Sequence, residues 1–382
     1  MASTTLHDVA FGDVILCGGQ SNMGFGMCGT QSKDQTAAEA LISLESGVRF
    51  FFQAGSGPYG GAGGRGCPVT IEGKQDVSIT PAQQWLKANA TNSGGFSAVC
   101  MLTAQRLYAA LDKKVPVGAV ESCISGTPIS EWTPSNVSAT DPRGGNLWKQ
   151  HMVPLLPMTF RSVLWDQGER DAKYTSSDYY SKEFPLMISL WRRYFTAATN
   201  PAPFLYVELC VEYGAEAPKE ADFWLAQREA VANDPAVGFA VTTDIQRALH
   251  PPDKQDVARR LELELRRLAY GQPVVSRGPE LLSSTRVAGG AIALKFSNAS
   301  LNVSAGIMVG NASECNLLAG NNTMAMARGV LPRRSLQYSI AGDTVTVECP
   351  AGVAAVHINP DAGTCFLYGP NGLPAPPVIA SC

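Results

Sequence analysis

The sequence predicts an α/β fold, a parallel sheet flanked by helices, followed by a C-terminal all-β domain. Three observations lead there. Short apolar, β-branched runs alternate with helix-period segments over residues 1–275. Beyond them, over 276–382, the segments become short, β-rich and split by Gly and Asn turns. And the first strand-like run, Val14-Ile15-Leu16-Cys17, leads directly into a Gly-rich turn holding a serine, Gly19-Gln20-Ser21-Asn22-Met23.

The strand candidates are 13–17, 48–52, 115–120, 161–165, 204–209 and 237–242. Between them, Ala98 to Leu111 places Met101, Ala104, Tyr108 and Leu111 on one helical face, and Phe184 to Phe195 repeats Phe184, Met187, Ile188 and Trp191 at the same period. Asp222 to Val231 is a further helix candidate. The clearest helix is 251–270: Pro251 and Pro252 precede or begin it, Asp253 and Asp256 lie in its first turns, and Val257, Leu261, Leu265 and Leu268 form a stripe. Arg266 and Arg267 lie in its last turn, and Gly271 and Pro273 end it. In the tail, Val287 to Phe296, 306–309, Ser335 to Ile340, 344–348 and Val353 to Ile358 read as strands. Gly61-Ala-Gly63-Gly-Arg-Gly66 formally matches a dinucleotide fingerprint, but no strand feeds it and no helix follows, so it reads as a surface loop.

Composition narrows the function. A formal charge of −3, with no basic run, argues against a nucleic-acid partner. No apolar run approaches the length of a membrane span. Ten cysteines without zinc spacing or a C-x-x-C pair suit disulfides in an oxidising compartment. Six glycosylation sequons, at Asn89, Asn136, Asn298, Asn302, Asn311 and Asn321, point the same way, to a secreted, lysosomal or other endomembrane protein. The N-terminal residues show neither the basic start nor the apolar stretch of a signal peptide.

Ligands of open α/β sheets bind at the carboxyl ends of the strands. Ser21 follows the first strand there; Ser125-Gly126-Thr127-Pro128 follows the third, and Trp165-Asp166-Gln167-Gly168-Glu169 the fourth. Of the four histidines, His7 precedes the first strand, His151 opens an apolar run and His357 lies in the β tail. His250 alone falls between a strand end and a helix start. A hydroxyl, an imidazole, a glycine N–H and a side-chain amide on one rim are the parts needed for acyl transfer. The plainer reading of Ser21 is a helix N-cap.

These blocks, Gly19–Met23, Ser125–Pro128 with Trp132, Trp165–Glu169 and His250-Pro-Pro-Asp-Lys-Gln255, resemble those of sialate O-acetylesterases in the SGNH/GDSL hydrolase superfamily. Phe11–Val14, Leu268–Gly271 and Gly372–Pro377 extend the resemblance along the chain. A G-x-S-x-G elbow is absent, which sets the chain apart from α/β-hydrolases. The resemblance implies an SGNH-hydrolase-like sheet, Ser21 as nucleophile and His250 as general base. It also implies an oxyanion hole from the N–H groups of Ser21 and Gly126 and the Gln167 side chain, no metal or organic cofactor, and O-acetylated sialic acid as substrate. Glu169 would brace the site or act as a helix N-terminal acid. Arg170, Arg247 and Trp132 are candidate substrate contacts.

Two departures from the family pattern stand out. The aspartate that often precedes the histidine by three residues is replaced by Arg247. His250 is then oriented either by Asp244 or by a backbone carbonyl near Ala248, the latter giving a Ser–His dyad. Family members also carry a β-domain ahead of the esterase domain, and this chain starts almost at the first strand. An unpaired β-edge would follow, and with it either a homodimer or an altered β-module. Deacetylation of another glycan such as acetylated xylan, and an inactive glycan-binding protein, are the alternative functions.

Overall fold

The computed structural model describes residues 5–382. Excepted are 6, 31–46, 54–55, 57–69, 72–73, 76–83, 90–91, 135–143, 196–200, 210–219, 246–248, 298–307, 311–316, 321–334, 350, 352–354 and 359–365. The Gly61–Gly66 loop and Arg247 lie outside the described residues, as do all the sequon asparagines except the exposed Asn89.

A seven-stranded sheet forms the centre. Its strands are β1 (Asp13–Gly19), β2 (Val48–Phe52), β3 (Leu86–Lys87), β4 (Val117–Cys123), β5 (Ser162–Asp166), β6 (Phe204–Val207) and β7 (Val237–Ala240). They lie in the order β3-β2-β4-β1-β5-β6-β7. All neighbours pair in parallel except β3, which runs antiparallel to β2. Helices cover both faces: α1 (Ala98–Ala110), α2 (Glu169–Tyr174), α3 (Ser177–Tyr194), α4 (Glu220–Ala230) and α5 (Lys254–Tyr270). α1 and α5 pack together on one face, and α3 and α4 pack together on the other. The first core layer is aliphatic and Phe-rich, with Phe50, Phe52 and Phe96 in edge-on or tilted contact. The second is aromatic, with Trp132, Trp165, Trp191 and Phe204 interlocked. Parallel strands buried on both faces need such continuous apolar runs, which is why those segments read as strands from sequence.

The register sets the site. Gly19 pairs with Cys123 on one side and Asp166 on the other, so the ends of β4, β1 and β5 lie level. At that point β1 comes so close to β5 that a Cβ on Gly19 would sit 2.2 Å from the Asp166 carbonyl oxygen, and its φ is +141°. Only glycine fits there. The Gln20 N–H then donates to that same carbonyl at 3.0 Å, which turns the chain and carries Ser21 over the rim.

Beyond residue 280 the chain is β-rich. β8 (Leu281–Val287), β9 (Ala291–Phe296), β10 (Tyr338–Ala341) and β11 (Thr344–Glu348) form an antiparallel sheet in the order β8-β9-β11-β10. A second sheet joins 335–336, 317–320, 355–358 and 378–381, and a separate pair joins 308–310 with 366–368. Where Val287 to Phe296 reads from sequence as one strand, the structure has the end of one strand, a turn and a second strand. Gly289 and Gly290 hold φ of +83° and +72°, the backbone a tight hairpin turn requires. Two disulfides lie among the described residues: Cys17–Cys100 ties β1 to α1, and Cys349–Cys382 ties the C-terminus to the end of β11. Cys123 is a free, buried thiol. No helix among the described residues is long and apolar enough to cross a membrane.

Candidate active site

Ser21 and His250 meet. The Ser21 Oγ lies 2.8 Å from the His250 Nε2, across 229 residues of chain. Ser21 is buried to 6% exposure in the turn after the central strand. His250 arrives from the edge strand β7 through the segment that precedes α5. At 2.8 Å the hydroxyl can donate to an unprotonated Nε2, which requires the proton on Nδ1. Burial, reinforced by the Lys254 ammonium, holds the imidazole down to about 4, so it is neutral at neutral pH.

Asn22 links the two loops. Its Nδ2 donates to the Leu249 carbonyl at 3.0 Å and to Glu169 Oε1, and its Oδ1 accepts from Lys254 Nζ at 2.6 Å. Asn22, Glu169 and Lys254 are all buried. Asp166, also buried, lies in the same charge cluster. Burial raises both the Asp166 and Glu169 carboxyls, and the Lys254 charge opposes the rise. Neither Asn22 nor Lys254 stands out in the sequence as a functional residue. The one available signal is that each lies inside a short block that also holds the serine or the histidine.

The remaining candidates divide. Gly126 sits exposed at the tip of the turn after β4, with φ +69° and open space where a Cβ would be. Among the described residues no acceptor takes its N–H or that of Ser21. Gln167 is different from the sequence reading. Its Nε2 donates to the Thr127 carbonyl at 3.0 Å and to Asp171 Oδ2 at 2.5 Å, and Tyr180 donates to its Oε1 at 3.1 Å. Both amide hydrogens are therefore spent on protein acceptors, and the side chain holds the β4 and β5 loops together instead of facing an oxyanion.

Asp244 also differs. Its two oxygens accept from Arg260 at 2.5 and 2.7 Å, and Tyr368 donates to it at 3.1 Å. Arg260, buried beneath, draws the carboxylate into a forked ion pair, so Asp244 is bound into the packing of α5 and the C-terminal region. Trp132 is fully buried: its Nε1 donates to Thr127 Oγ1 at 3.0 Å and its ring packs edge-on against Trp165. It is a core residue and not a substrate contact. Arg170 is half-buried with its guanidinium 3.9 Å from the Tyr174 ring centroid. Of the other histidines, His151 is buried against Trp132, and His7 lines a surface cavity at the opposite end of the strands, beside Gly12 and Pro116.

A parallel sheet with a serine and a histidine facing each other at its carboxyl rim, and no nucleophile elbow, defines the SGNH-like hydrolase fold. Residues 72–254 match the family model of carbohydrate esterases described as sialic acid-specific acetylesterase. The human sialate O-acetylesterase is 30% identical over 309 residues, which cover 70% of this chain and 55% of that protein. The mouse enzyme is 29% identical over 355 residues, covering 73% and 61%. The crystal structure of a carbohydrate acetylesterase from Xanthomonas citri superposes with a TM-score of 0.73 at 27% identity, covering 96% of this chain and 80% of that one. The chain belongs to the sialate O-acetylesterase family. It spans somewhat more than half the length of those curated relatives.

Proposed function

We propose that this chain is a serine esterase that removes O-acetyl groups from sialic acids. The observation that carries the reading is the 2.8 Å approach of Ser21 Oγ to His250 Nε2. In this reading Ser21 attacks the acetyl carbonyl and His250 takes the hydroxyl proton. The tetrahedral oxyanion accepts from the N–H groups of Ser21 and Gly126, and the sugar hydroxyl leaves with the proton from His250. Water activated by the same imidazole then releases acetate. Of the two ways of orienting His250, Asp244 or a backbone carbonyl giving a dyad, the dyad is favoured by the forked ion pair that engages both Asp244 oxygens with Arg260. Residues 1–275 form the esterase domain and 276–382 an accessory β-domain.

Sialic acid as the sugar follows from the family, and Arg170 at the rim is the described cation that suits its carboxylate. The test compares release of acetate from O-acetylated sialic acid and from acetylated xylose, each with the protein and with its Ser21→Ala variant. The reading predicts Ser21-dependent release from the sialic acid. Faster release from the xylose ester would assign the enzyme to another glycan. No release from either would leave a glycan-binding protein.

An oxidising, endomembrane or extracellular location accounts for the two disulfides and the exposed Asn89. A homodimer would pair through β8, an edge strand exposed along six of its seven residues. Sedimentation of the protein and of a proline variant in β8 distinguishes dimer from monomer.

A further inference from the structure

The Ser21–His250 contact has to be kept by two loops that belong to strands at the centre and the edge of the sheet. Backbone pairing does not link them directly, because β5 and β6 lie between β1 and β7. What links them is a side-chain brace placed one residue away from each. Asn22 follows the serine, and Leu249, whose carbonyl Asn22 binds at 3.0 Å, precedes the histidine. An amide can rotate, and here its orientation is fixed from three sides. Glu169 takes the second Nδ2 hydrogen, and the Lys254 ammonium, 2.6 Å from Oδ1, fixes which end of the amide is oxygen. Lys254 is 2% exposed and opens α5, its Nζ 5.2 Å from the centre of the Phe25 ring. A buried ammonium is costly unless it is paired and hydrogen-bonded, and nothing in the packing of a helix start demands one.

We propose that Lys254 is a positioning residue of the esterase: it locks the Asn22 brace that holds the serine and histidine loops in register, and keeps a positive charge beside His250. The proposal rests on the reading of Ser21 and His250 as nucleophile and base. The charged group that acts on His250 is Lys254 at the start of α5; Asp166 at the end of β5 and Glu169 at the start of α2 face Lys254, and Asp244 after β7 is held by Arg260. The Lys254 charge adds to the effect of burial. Removing it takes away the group that fixes the Asn22 amide and the positive charge that acts on the imidazole. Both changes have a signature that loss of packing alone does not have.

The test is the pH profile of kcat and KM for a chromogenic aryl acetate, with the full chain as parent. Lys254→Met, of similar shape and uncharged, is expected to lower kcat by about 10- to 100-fold, the scale of a small misplacement of reacting groups. Its acidic limb should move upward by about one pH unit as the imidazole becomes easier to protonate. Lys254→Arg should keep the limb at the parental position. Asn22→Ala removes the brace and leaves the charge, so kcat should fall about tenfold or more with KM within about twofold and the limb in place. A Lys254→Met enzyme whose limb stays with the parent's overturns the proposal, whatever its rate. If that variant does not fold, Asn22→Ala with a parental kcat overturns it. A parent with no Ser21-dependent turnover would instead sink the esterase reading itself.

Discussion

His250 is a weak base by design of its surroundings: burial and a neighbouring ammonium hold it down to about 4. Such a base is fully available at neutral pH and takes a proton reluctantly, since general-base catalysis works best with a pKa near the operating pH. The rate constant kcat/KM is therefore expected to stay level from neutral pH down to about 5 and to fall near pH 4, read with an ester stable in acid. A limb near the ordinary 6.5 of histidine would contradict this. The same depressed value affects stability. The unfolded chain takes up a proton as pH falls through 6.5, and the folded one does not until about 4. This contribution is full above 6.5 and is lost as pH falls towards 4. Ser21 and His250 were both legible in the sequence, because each lies at a strand end beside a turn. The spent amide of Gln167 and the ion pair of Asp244 were not. Both depend on partners, Asp171 and Arg260, that reach them only through the packing of helices.

At the scale of elements, strand positions followed from buried apolar runs, and 48–52 and 344–348 coincide with the observed strands. Helix ends were harder to place. α3 begins at Ser177, capped by Ser176, a turn and more before the Phe184 to Phe195 period read from sequence. Its Pro185 is accommodated inside an amphipathic helix whose buried stripe of Tyr180, Phe184, Met187, Ile188 and Trp191 outweighs the lost backbone bond. α5 starts at Lys254 rather than at the prolines, because Asp253 caps it by accepting from the Asp256 N–H at 3.2 Å. Its Arg260 then reaches Asp244, and Tyr368 from the C-terminal region completes that junction. Asp244→Asn removes the charge that balances a buried guanidinium, and should destabilise the fold by about 3–5 kcal/mol in chemical denaturation. Turnover per folded molecule should stay within about tenfold of the parent. A loss of about 10⁴-fold, the effect of disabling a triad acid, would restore Asp244 as the residue that orients His250.

The whole molecule carries more buried carboxyls than its small net charge suggests. Burial raises Glu121 on β4 and Asp171 on α2 each to about 7, and raises Glu208 as well. For Glu121 and Asp171 the folded chain binds protons that the unfolded chain has released near 4, so their contribution is full at acid pH and lost as pH rises through about 7. His250 and His151 oppose this below 6.5. The melting temperature is therefore expected to fall as pH rises from about 6 to about 8, by scanning calorimetry; a rise over that range would show that these carboxyls are ionised in the folded state. The most direct measurement of the chemistry at the sheet rim is mass spectrometry of the protein quenched in acid during turnover of an activated acetyl ester. It should find one acetyl group on the peptide bearing Ser21, absent from Ser21→Ala. Hydrolysis of the ester by a Ser21→Ala protein at the parental rate, with no acetylated Ser21 in the parent, would contradict the esterase reading.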